Sequence, residues 1–207
     1  MKALEIDVQP GDTFLVGDCT IACLDIESPR GQQWWRDHPC VVYYSDPPWD
    51  KGHARRFRSM AGAGDSEYPR LVEAVKAIIA NGTTAFIEMS SVNPLDLWED
   101  MGAWPWQRKW TTKYYKTRSA ALWGGSKVQI EWPDLDDRTR VDLVKNALAA
   151  APPGAVGDPC IGMEGLTAQA AIAAGRKCFG TEISPAKVRK VLGYLSQRQR
   201  ATVRKLT

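Results

Sequence analysis

The chain has 207 residues, a formal net charge of +3, 44% hydrophobic residues and 25% charged residues. These values are typical of one globular domain with a full core, and so small a charge does not indicate a partner by itself. No apolar stretch approaches membrane-spanning length, and acids interrupt the first seven residues, where a signal peptide would be apolar. We therefore expect an intracellular, cytoplasmic protein.

The cysteines form no pattern typical of a disulfide framework or a zinc site. None of them is spaced as a C-x-x-C pair, and only His38 and His53 could assist in binding a metal. Scattered cysteines of an intracellular chain stay reduced. We expect no metal, and free buried thiols at Cys19, Cys23, Cys40, Cys160 and Cys178.

The first predicted strand is Thr13–Val16, which ends at Gly17-Asp18-Cys19. A helix or irregular stretch follows and passes through Trp34-Trp35. The apolar run Cys40–Tyr44 is typical of a buried parallel strand. That strand must stop at Asp46-Pro47-Pro48-Trp49, because two consecutive prolines cannot donate hydrogen bonds to a sheet.

The segment Asp46–Trp49 carries the groups that would activate an exocyclic amine of a nucleobase. Such an amine is planar and a poor nucleophile, because its lone pair is delocalised into the ring. The Asp46 carboxylate and the Pro47 carbonyl would accept its two N–H groups and favour a pyramidal nitrogen, while Trp49 would stack on the base. The alternative is a strand end followed by a proline turn that merely packs Trp49.

Residues 50–66 are rich in Gly, Ser, Arg and Lys and are predicted to form a mobile loop, with a passive linker as the alternative. Basic residues beside a base pocket suit contacts with DNA phosphates. The residues of this kind are Lys51, Arg55, Arg56 and Arg58. A second basic run, from Lys187 to Lys205, is more typical of a solvated helix face.

The middle of the chain contains a helix, a strand and a tryptophan-rich segment. Apolar residues at helical spacing predict a helix over Leu71–Ile79, and Thr83–Met89 is predicted to be a second buried strand. A Trp-rich insertion or small subdomain is expected at about 94–132, with a hairpin around Lys116-Thr117-Arg118. We expect most of its indoles to be core, the alternative being exposed rings that stack on bases.

The last third alternates helices and strands. Helices are predicted at Asp136–Ala150, Gly165–Ala174 and from about Pro185, and strands at Ala155–Gly157 and Lys177–Thr181. This alternation predicts an α/β fold with a mostly parallel, doubly wound sheet and helices on both faces.

A second candidate site lies in this last third. Asp158–Gly165 connects a strand to a helix, and its glycines let the backbone approach a ligand beside the free N–H groups of a helix start. Glu182 ends the next strand, where it could accept hydrogen bonds from ribose hydroxyls. The pair suits adenosine cofactors in general, including nicotinamide dinucleotides.

Together the two segments resemble the S-adenosylmethionine-dependent DNA amino-methyltransferases of adenine-N6 or cytosine-N4 type. The catalytic loop precedes the cofactor loop, which is similar to the β-class motif order of that family. The matching residues are Asp46-Pro47-Pro48-Trp49, Gly17-Asp18-Cys19 and 154–182, whereas residues 90–135 match nothing. The resemblance implies a Rossmann-like methyltransferase fold with circularly permuted motif order, a single methyltransferase domain over 1–207, and S-adenosylmethionine as cofactor.

The resemblance also implies roles for particular residues. Asp46, Pro47, Pro48 and Trp49 would be the catalytic group. The cofactor would be bound by Asp18, Cys19, Asp158, Pro159, Cys160, Gly162, Gly165, Glu182 and Arg138. Asp18 and Cys19 would contact its adenine, Glu182 its ribose, and Arg138 its methionine carboxylate.

The implied activity is methyl transfer to an exocyclic amine of a base in DNA. An aromatic residue at position 49 resembles adenosine methyltransferases that act on messenger RNA, which favours adenine N6. Cytosine N4, and RNA as the substrate, stay open as alternatives. The chain has no room for a large target-recognition domain, so a homodimer or a partner subunit stays open too.

Three departures from the family pattern motivate another hypothesis. Cys160 stands where the family has an aromatic residue, Gly162 and Gly165 enclose two residues instead of one, and Glu164 would repel the cofactor carboxylate if it pointed inward. A non-catalytic nucleic-acid-binding partner with a decayed cofactor site would account for them. A nicotinamide-dependent oxidoreductase is the last alternative, because it gives Asp46–Trp49 no purpose.

Overall fold

A mixed sheet with helices on both faces forms the centre of the molecule. The computed structural model describes residues 6–90, 104–114 and 118–207. The strands of the described residues are β1 (Thr13–Val16), β2 (Cys19–Cys23), β3 (Val42–Ser45), β4 (Thr84–Ser90), β5 (Trp106–Tyr114), β6 (Arg118–Ser126), β7 (Val156–Asp158), β8 (Cys178–Glu182) and β9 (Val203–Lys205). Their helices are α1 (Pro29–Asp37), α2 (Lys51–Met60), α3 (Tyr68–Ile79), α4 (Arg140–Ala150), α5 (Leu166–Ala173) and α6 (Pro185–Gln199).

The strand order is β5-β6-β4-β3-β7-β8-β2-β1-β9. The five central strands, β4 to β2 in this order, are all parallel, and antiparallel strands extend the sheet at both sides. The predicted α/β fold with a mostly parallel sheet is therefore confirmed. After β3 the chain continues to β4 on one side, and after β7 it continues to β8 on the other. The boundary between β3 and β7 is thus a topological switch point, where open α/β sheets bind ligands.

The core has two layers, one on each face of the sheet. Tyr43 packs in one cluster with buried residues of α1, α2 and α3, whereas Val42 and Tyr44 pack in the other with residues of α4, α5 and α6. This division follows from the pleat, because successive side chains of a strand point to opposite faces.

The tryptophan-rich segment contributes a hairpin to the same sheet. β5 and β6 pair antiparallel, with Trp110 opposite Leu122, and β6 also pairs with β4. The predicted hairpin is confirmed, although residues 116 and 117 of its turn lie outside the described residues, as does Trp98. Among the described indoles Trp104, Trp110 and Trp123 are buried, as expected of core, whereas Trp106 is exposed.

The prediction of a mobile loop over residues 50–66 was wrong for its first part, which is helix α2. Asp50 caps this helix by accepting a hydrogen bond from the His53 backbone N–H at 2.8 Å. Ala54 and Phe57 face inward while the cations between them face outward. The glycines that suggested a loop lie mainly after the helix, within residues 61–67.

Strand β2 was also missed, and it occupies a central position between β8 and β1. All five cysteines are free thiols, and four of them are buried. None of the described helices has the length and the apolar character that a membrane span requires.

Candidate active site

A cavity of about 500 Å³ opens at the carboxyl ends of the parallel strands. Its walls come from the segments that follow β2, β3, β7 and β8, together with Glu88 of β4 and the inner side of α2. The volume is that of a typical small-molecule pocket. The two loops that the sequence singled out therefore lie in one cleft, on either side of the switch point.

The loop after β3 holds its carboxylate by a contact that the sequence did not reveal. The indole Nε1–H of Trp49 donates a hydrogen bond to Asp46 Oδ1 at 2.7 Å. The Pro48 carbonyl accepts a hydrogen bond from Tyr68 Oη at 2.8 Å, which ties the loop to α3. Of the carbonyls in this loop, that of Pro47 takes part in no hydrogen bond with the described residues. The loop thus presents a fixed carboxylate and an available carbonyl.

The turn after β7 wraps closely around the cavity. Asp158 accepts hydrogen bonds from the Cys160 backbone N–H at 3.0 Å and from Thr167 Oγ1 at 2.6 Å. Gly165 has a left-handed backbone (φ +59°), and a Cβ there would lie 2.3 Å from Val191 of α6. Only glycine allows the turn to approach α6 so closely.

The ends of β8 and β2 form the far wall. Glu182 accepts a hydrogen bond from the Ser184 backbone N–H at 2.9 Å, and Lys187 Nζ lies 3.6 Å from its other oxygen. Because β2 pairs in parallel with β8, with Cys23 opposite Glu182, the residues after β2 emerge beside this carboxylate. Asp25 is one of them and lines the cavity.

Helix α2 closes this wall through Arg58, which is 14% exposed. Its guanidinium lies 3.0 Å from Asp25 and 2.7 Å from Glu27, and its Nε donates to the Gly64 carbonyl at 2.7 Å. Arg58 thereby joins α2 both to the segment after β2 and to the residues that follow α2.

Three carboxyl groups meet on one face of the sheet at this edge, of which Glu88 and Asp158 are buried and Asp46 is half-buried. Burial raises the pKa of Asp46 to about 6, against the opposing hydrogen bond from Trp49. Burial raises the pKa of Asp158 to about 7, with Thr167 and the Cys160 N–H opposing it. Burial, and next the charge of Asp46, raise the pKa of Glu88 to about 8. Carboxyls with displaced pKa values in a cleft are typical of catalytic sites.

At the opposite wall Glu164 pairs with Arg140, which stands at the start of α4. Both side chains line the cavity, and both are partly exposed. The expected repulsion between Glu164 and an incoming carboxylate is thus offset, because a cation accompanies the acid.

Comparison with solved structures finds the same fold in several DNA methyltransferases. The complex of M1.HpyAVI with SAM has a TM-score of 0.59 at 15% identity, over 86% of this chain and 98% of that chain. PvuII DNA methyltransferase, which is cytosine-N4-specific, has a TM-score of 0.57 at 10% identity, over 85% of this chain and 86% of that one. This chain has the methyltransferase fold. Neither a family model nor a curated protein sequence matches it.

A third neighbour with the methyltransferase fold is TTHA0409, a putative DNA modification methylase from Thermus thermophilus that was solved with S-adenosyl-L-methionine. Its TM-score is 0.53 at 14% identity, and the match covers 86% of this chain and 93% of that chain. At such identities the comparisons establish the fold, and the activity has to be argued from the site.

Most of the predicted site residues come together within the methyltransferase fold. The cavity is lined by Asp46, Pro47, Pro48, Trp49, Asp158, Pro159, Cys160, Gly162, Gly165 and Glu182. Two segments distant in sequence therefore share one cleft, as the motifs predicted.

Asp18 and Cys19 do not lie in this cleft, in contrast to the prediction. Cys19 starts β2 opposite Cys178, the first residue of β8, and the Asp18 carbonyl accepts the Cys178 N–H at 3.0 Å. They therefore occupy the amino-terminal edge of the sheet, across from the cavity. The segment that reaches the cavity from β2 is Leu24–Glu27 instead.

The structure also corrects the predictions for Arg138 and for one of the four cations assigned to DNA. Arg138 is exposed and outside the cavity, and its neighbour Arg140 lines it. Of the four cations assigned to DNA, Arg58 is engaged by Asp25 and Glu27. The other three, Lys51, Arg55 and Arg56, are exposed on α2, the helix whose residues His53 and Phe57 line the cavity.

Sequence reasoning missed several residues that line the cavity, notably Tyr44, Glu88, Asp25, Arg140 and Lys187. Glu88 had a signal, because it is the one acid within the apolar run Thr84–Met89 of a buried strand. Asp25 follows a strand that was not recognised, so nothing indicated that it would reach the site.

Proposed function

We propose that this protein transfers a methyl group from S-adenosylmethionine to an exocyclic amine of a base in DNA, with adenine N6 as the favoured target. The observation that carries the proposal is the placement of Asp46-Pro47-Pro48-Trp49 and of the turn at Asp158–Gly165 around one cavity. Neighbours with the same fold are DNA methyltransferases, and two of them were solved with the cofactor.

The residues present fit the cofactor. Glu182 is suited to accept hydrogen bonds from ribose hydroxyls, and the apolar side chains of Ile161, Ile183 and Phe57 line the cavity where a flat adenine could lie. Arg140 offers a cation for the methionine carboxylate. When bound, S-adenosylmethionine supplies a methyl group that its sulfonium already activates.

The catalytic loop would then act on the target amine by position and charge. Asp46 and the Pro47 carbonyl accept the two N–H groups of the amine, which exposes its lone pair for in-line attack on the methyl group. Trp49 limits rotation of the Asp46 carboxylate through its own N–H. The proton that the methylated nitrogen must lose can pass to Asp46, since the raised pKa makes it a stronger base than an ordinary aspartate.

A base reaches so recessed a site only after it leaves the duplex, or in single-stranded substrate. Lys51, Arg55 and Arg56 are exposed on α2, which forms a wall of the cavity, and would contact the flanking phosphates. Adenine is favoured over cytosine by the aromatic residue at position 49, which resembles adenosine methyltransferases.

The decisive test is the identity of the methylated nucleoside. The protein is incubated with methyl-labelled cofactor and DNA of mixed sequence, and the digested nucleosides are separated by mass spectrometry. We expect N6-methyladenine. N4-methylcytosine would correct the target base, a parallel reaction on RNA would show whether RNA is preferred, and label confined to ring carbons or to protein would overturn the proposal.

Calorimetry separates the enzyme from a non-catalytic DNA-binding partner. We expect S-adenosylmethionine to bind in the micromolar range that is usual for enzyme ligands. Absence of binding at millimolar cofactor would mean that the altered turn at Cys160–Gly165 has lost its function.

A further inference from the structure

Glu88 is a buried acid of the cavity for which the catalytic loop leaves no role. It lies within β4, is 7% exposed, and lines the cavity together with Asp46. The parallel register pairs Ser45 with Ile87, so the next residues, Asp46 and Glu88, emerge side by side. Because strand side chains alternate, Asp46 and Glu88 also share a face with Tyr44.

Only one oxygen of Glu88 is used by the described part of the protein. Tyr44 Oη donates a hydrogen bond to Oε1 at 2.6 Å, and Tyr44 itself is 2% exposed. The other oxygen has no hydrogen-bond partner among the described residues. Because Glu88 lines the cavity, this second oxygen is open to a ligand there, and a well-placed ligand atom would satisfy it.

We infer that Glu88 recognises the target base by donating a hydrogen bond, as a neutral carboxylic acid, to the ring nitrogen beside the reacting amine. This inference rests on the proposed function and adds a specificity-determining residue to it. In both adenine and cytosine, a ring nitrogen that accepts a hydrogen bond (N1 or N3) lies next to the amine. The Asp46 carboxylate can accept from the amine while the neutral Glu88 carboxyl donates to that ring nitrogen. Guanine N1 and thymine N3 carry a hydrogen, and a donor from Glu88 would oppose them.

Burial and the neighbouring charge of Asp46 make this protonation state consistent with neutral solution. The pKa of Glu88 is raised to about 8, while that of Asp46 is raised to about 6. Near pH 7 the first group keeps its proton and the second has lost it. Two interacting acids driven apart in this way divide the donor and acceptor roles between them.

The first test changes the base and leaves the protein intact. Oligonucleotides carry adenine, 1-deazaadenine or 7-deazaadenine at the methylated position, and 3-deazacytosine replaces them if the product is N4-methylcytosine. For the wild type we expect 1-deazaadenine to lower kcat/KM on the order of tenfold, which corresponds to one hydrogen bond, and 7-deazaadenine to have little effect. Binding of the same oligonucleotides without cofactor should show the same ranking.

The second test repeats this comparison with Glu88→Leu and Glu88→Gln. Glu88→Leu should lower kcat/KM with adenine and remove the discrimination against 1-deazaadenine, because the donor is gone. Glu88→Gln keeps an N–H donor, so it should recover most of the discrimination. It should also abolish the loss of activity above about pH 8 that ionisation of Glu88 causes in the wild type. Glu131→Gln, at an exposed position, is the matched control.

The outcomes distinguish failure of the role of Glu88 from failure of the proposed function. Wild-type protein that methylates 1-deazaadenine as well as adenine overturns the role of Glu88 and leaves the proposed function standing. The role of Glu88 is equally overturned if Glu88→Leu folds and still discriminates as the wild type does. Wild-type protein that methylates none of the oligonucleotides overturns the proposed function itself.

Discussion

At the scale of single residues, Trp49 makes a contact with Asp46 that the sequence did not reveal. Its ring was predicted to stack on the base, and its indole N–H proves to hold Asp46 at 2.7 Å. That hydrogen bond also lowers the pKa of Asp46 against the larger effect of burial. The side chain that would receive the base therefore also keeps the neighbouring carboxylate oriented and ionised.

Trp49→Phe separates these roles, because it keeps an aromatic ring and removes the N–H. We expect the oligonucleotide KM to change little and kcat to fall about tenfold, the usual value of one charge-assisted hydrogen bond. The acid limb of the pH profile should move to higher pH, since the pKa of Asp46 rises without its donor. Steady-state kinetics from pH 5 to 8 measure both effects.

Trp49→Ala is the companion variant and should also weaken base capture, by about 1–3 kcal/mol for a lost stacking contact. If Trp49→Phe behaves as the wild type in kcat and in pH profile, the N–H has no role in orienting Asp46.

At the scale of elements, helix α2 forms a wall of the cavity and is secured from two directions. Arg58 joins it to Asp25 and Glu27 after β2. Phe57, one residue earlier, has the Lys187 ammonium of α6 4.0 Å from its ring centroid. On the same helix Arg55 and Arg56 are exposed, and these are the cations that we propose to contact DNA, whereas Arg58 is held by acids.

The variants Arg58→Ala and Arg55→Ala should therefore affect different properties, the first the stability of the protein and the second its affinity for DNA. Arg58→Ala leaves two partly buried acids unpaired, and we expect it to lower the free energy of unfolding by about 1–3 kcal/mol. Arg55→Ala should leave the Tm unchanged and reduce the slope of DNA affinity against salt by about one. Thermal unfolding and salt-dependent binding titrations check the pair.

If Arg58→Ala unfolds like the wild type and weakens DNA binding as Arg55→Ala does, Arg58 belongs to the DNA-contacting set after all. That result would contradict the ion pairs with Asp25 and Glu27 as its main role.

The elements that the sequence predicted well are those with a local signal. The prolines Pro47 and Pro48 allowed the end of β3 to be predicted, and the glycine turn allowed the start of α5 to be predicted. The loops Asp46–Trp49 and Asp158–Gly165 were therefore found from sequence. β2 was missed because Cys19–Cys23 is short and has no periodicity. Its assignment depends on pairing with β8, whose residues lie 159 positions later in the chain, and Asp18 was misplaced for the same reason.

Helix α2 was missed because its inward residues are few and its composition is basic. An N-cap at Asp50 and the spacing of Ala54 and Phe57 were present in the sequence, but glycines and serines nearby outweighed them. Arg58 could not be told from its neighbours, since its partners Asp25 and Glu27 are some thirty residues away in the chain.

At the scale of the whole molecule, three carboxyl groups lie together at the switch point, where their ionisation opposes the stability of the fold. Asp46, Glu88 and Asp158 come from three adjacent strands, and burial raises the pKa of each. In the unfolded chain such carboxyls ionise near their ordinary pKa values of about 4. The fold therefore keeps protons that the unfolded chain releases.

This arrangement predicts an unusual dependence of stability on pH. Between pH 5 and 8 the native state binds more protons than the unfolded state, so the free energy of unfolding should fall as pH rises. Each unit of raised pKa corresponds to about 1.4 kcal/mol. Urea unfolding at pH 5, 6, 7 and 8 measures the trend.

Glu88→Gln and Asp158→Asn should flatten that trend, and exposed Asp134→Asn should not. Stability that rises from pH 5 to 8 in the wild type would mean that these carboxyls are ionised in the folded protein.

In the proposed function the two loops bring Asp46 to the target amine beside the bound cofactor, and the variant Asp46→Asn removes the charge on which this arrangement depends. The measurement is transfer of labelled methyl to DNA at saturating cofactor, with the cofactor dissociation constant determined by calorimetry on the same samples. We expect the variant to bind cofactor nearly as the wild type does and to transfer methyl about 10²–10³-fold more slowly. Transfer at the wild-type rate, or loss of cofactor binding in parallel with transfer, would contradict this role of Asp46.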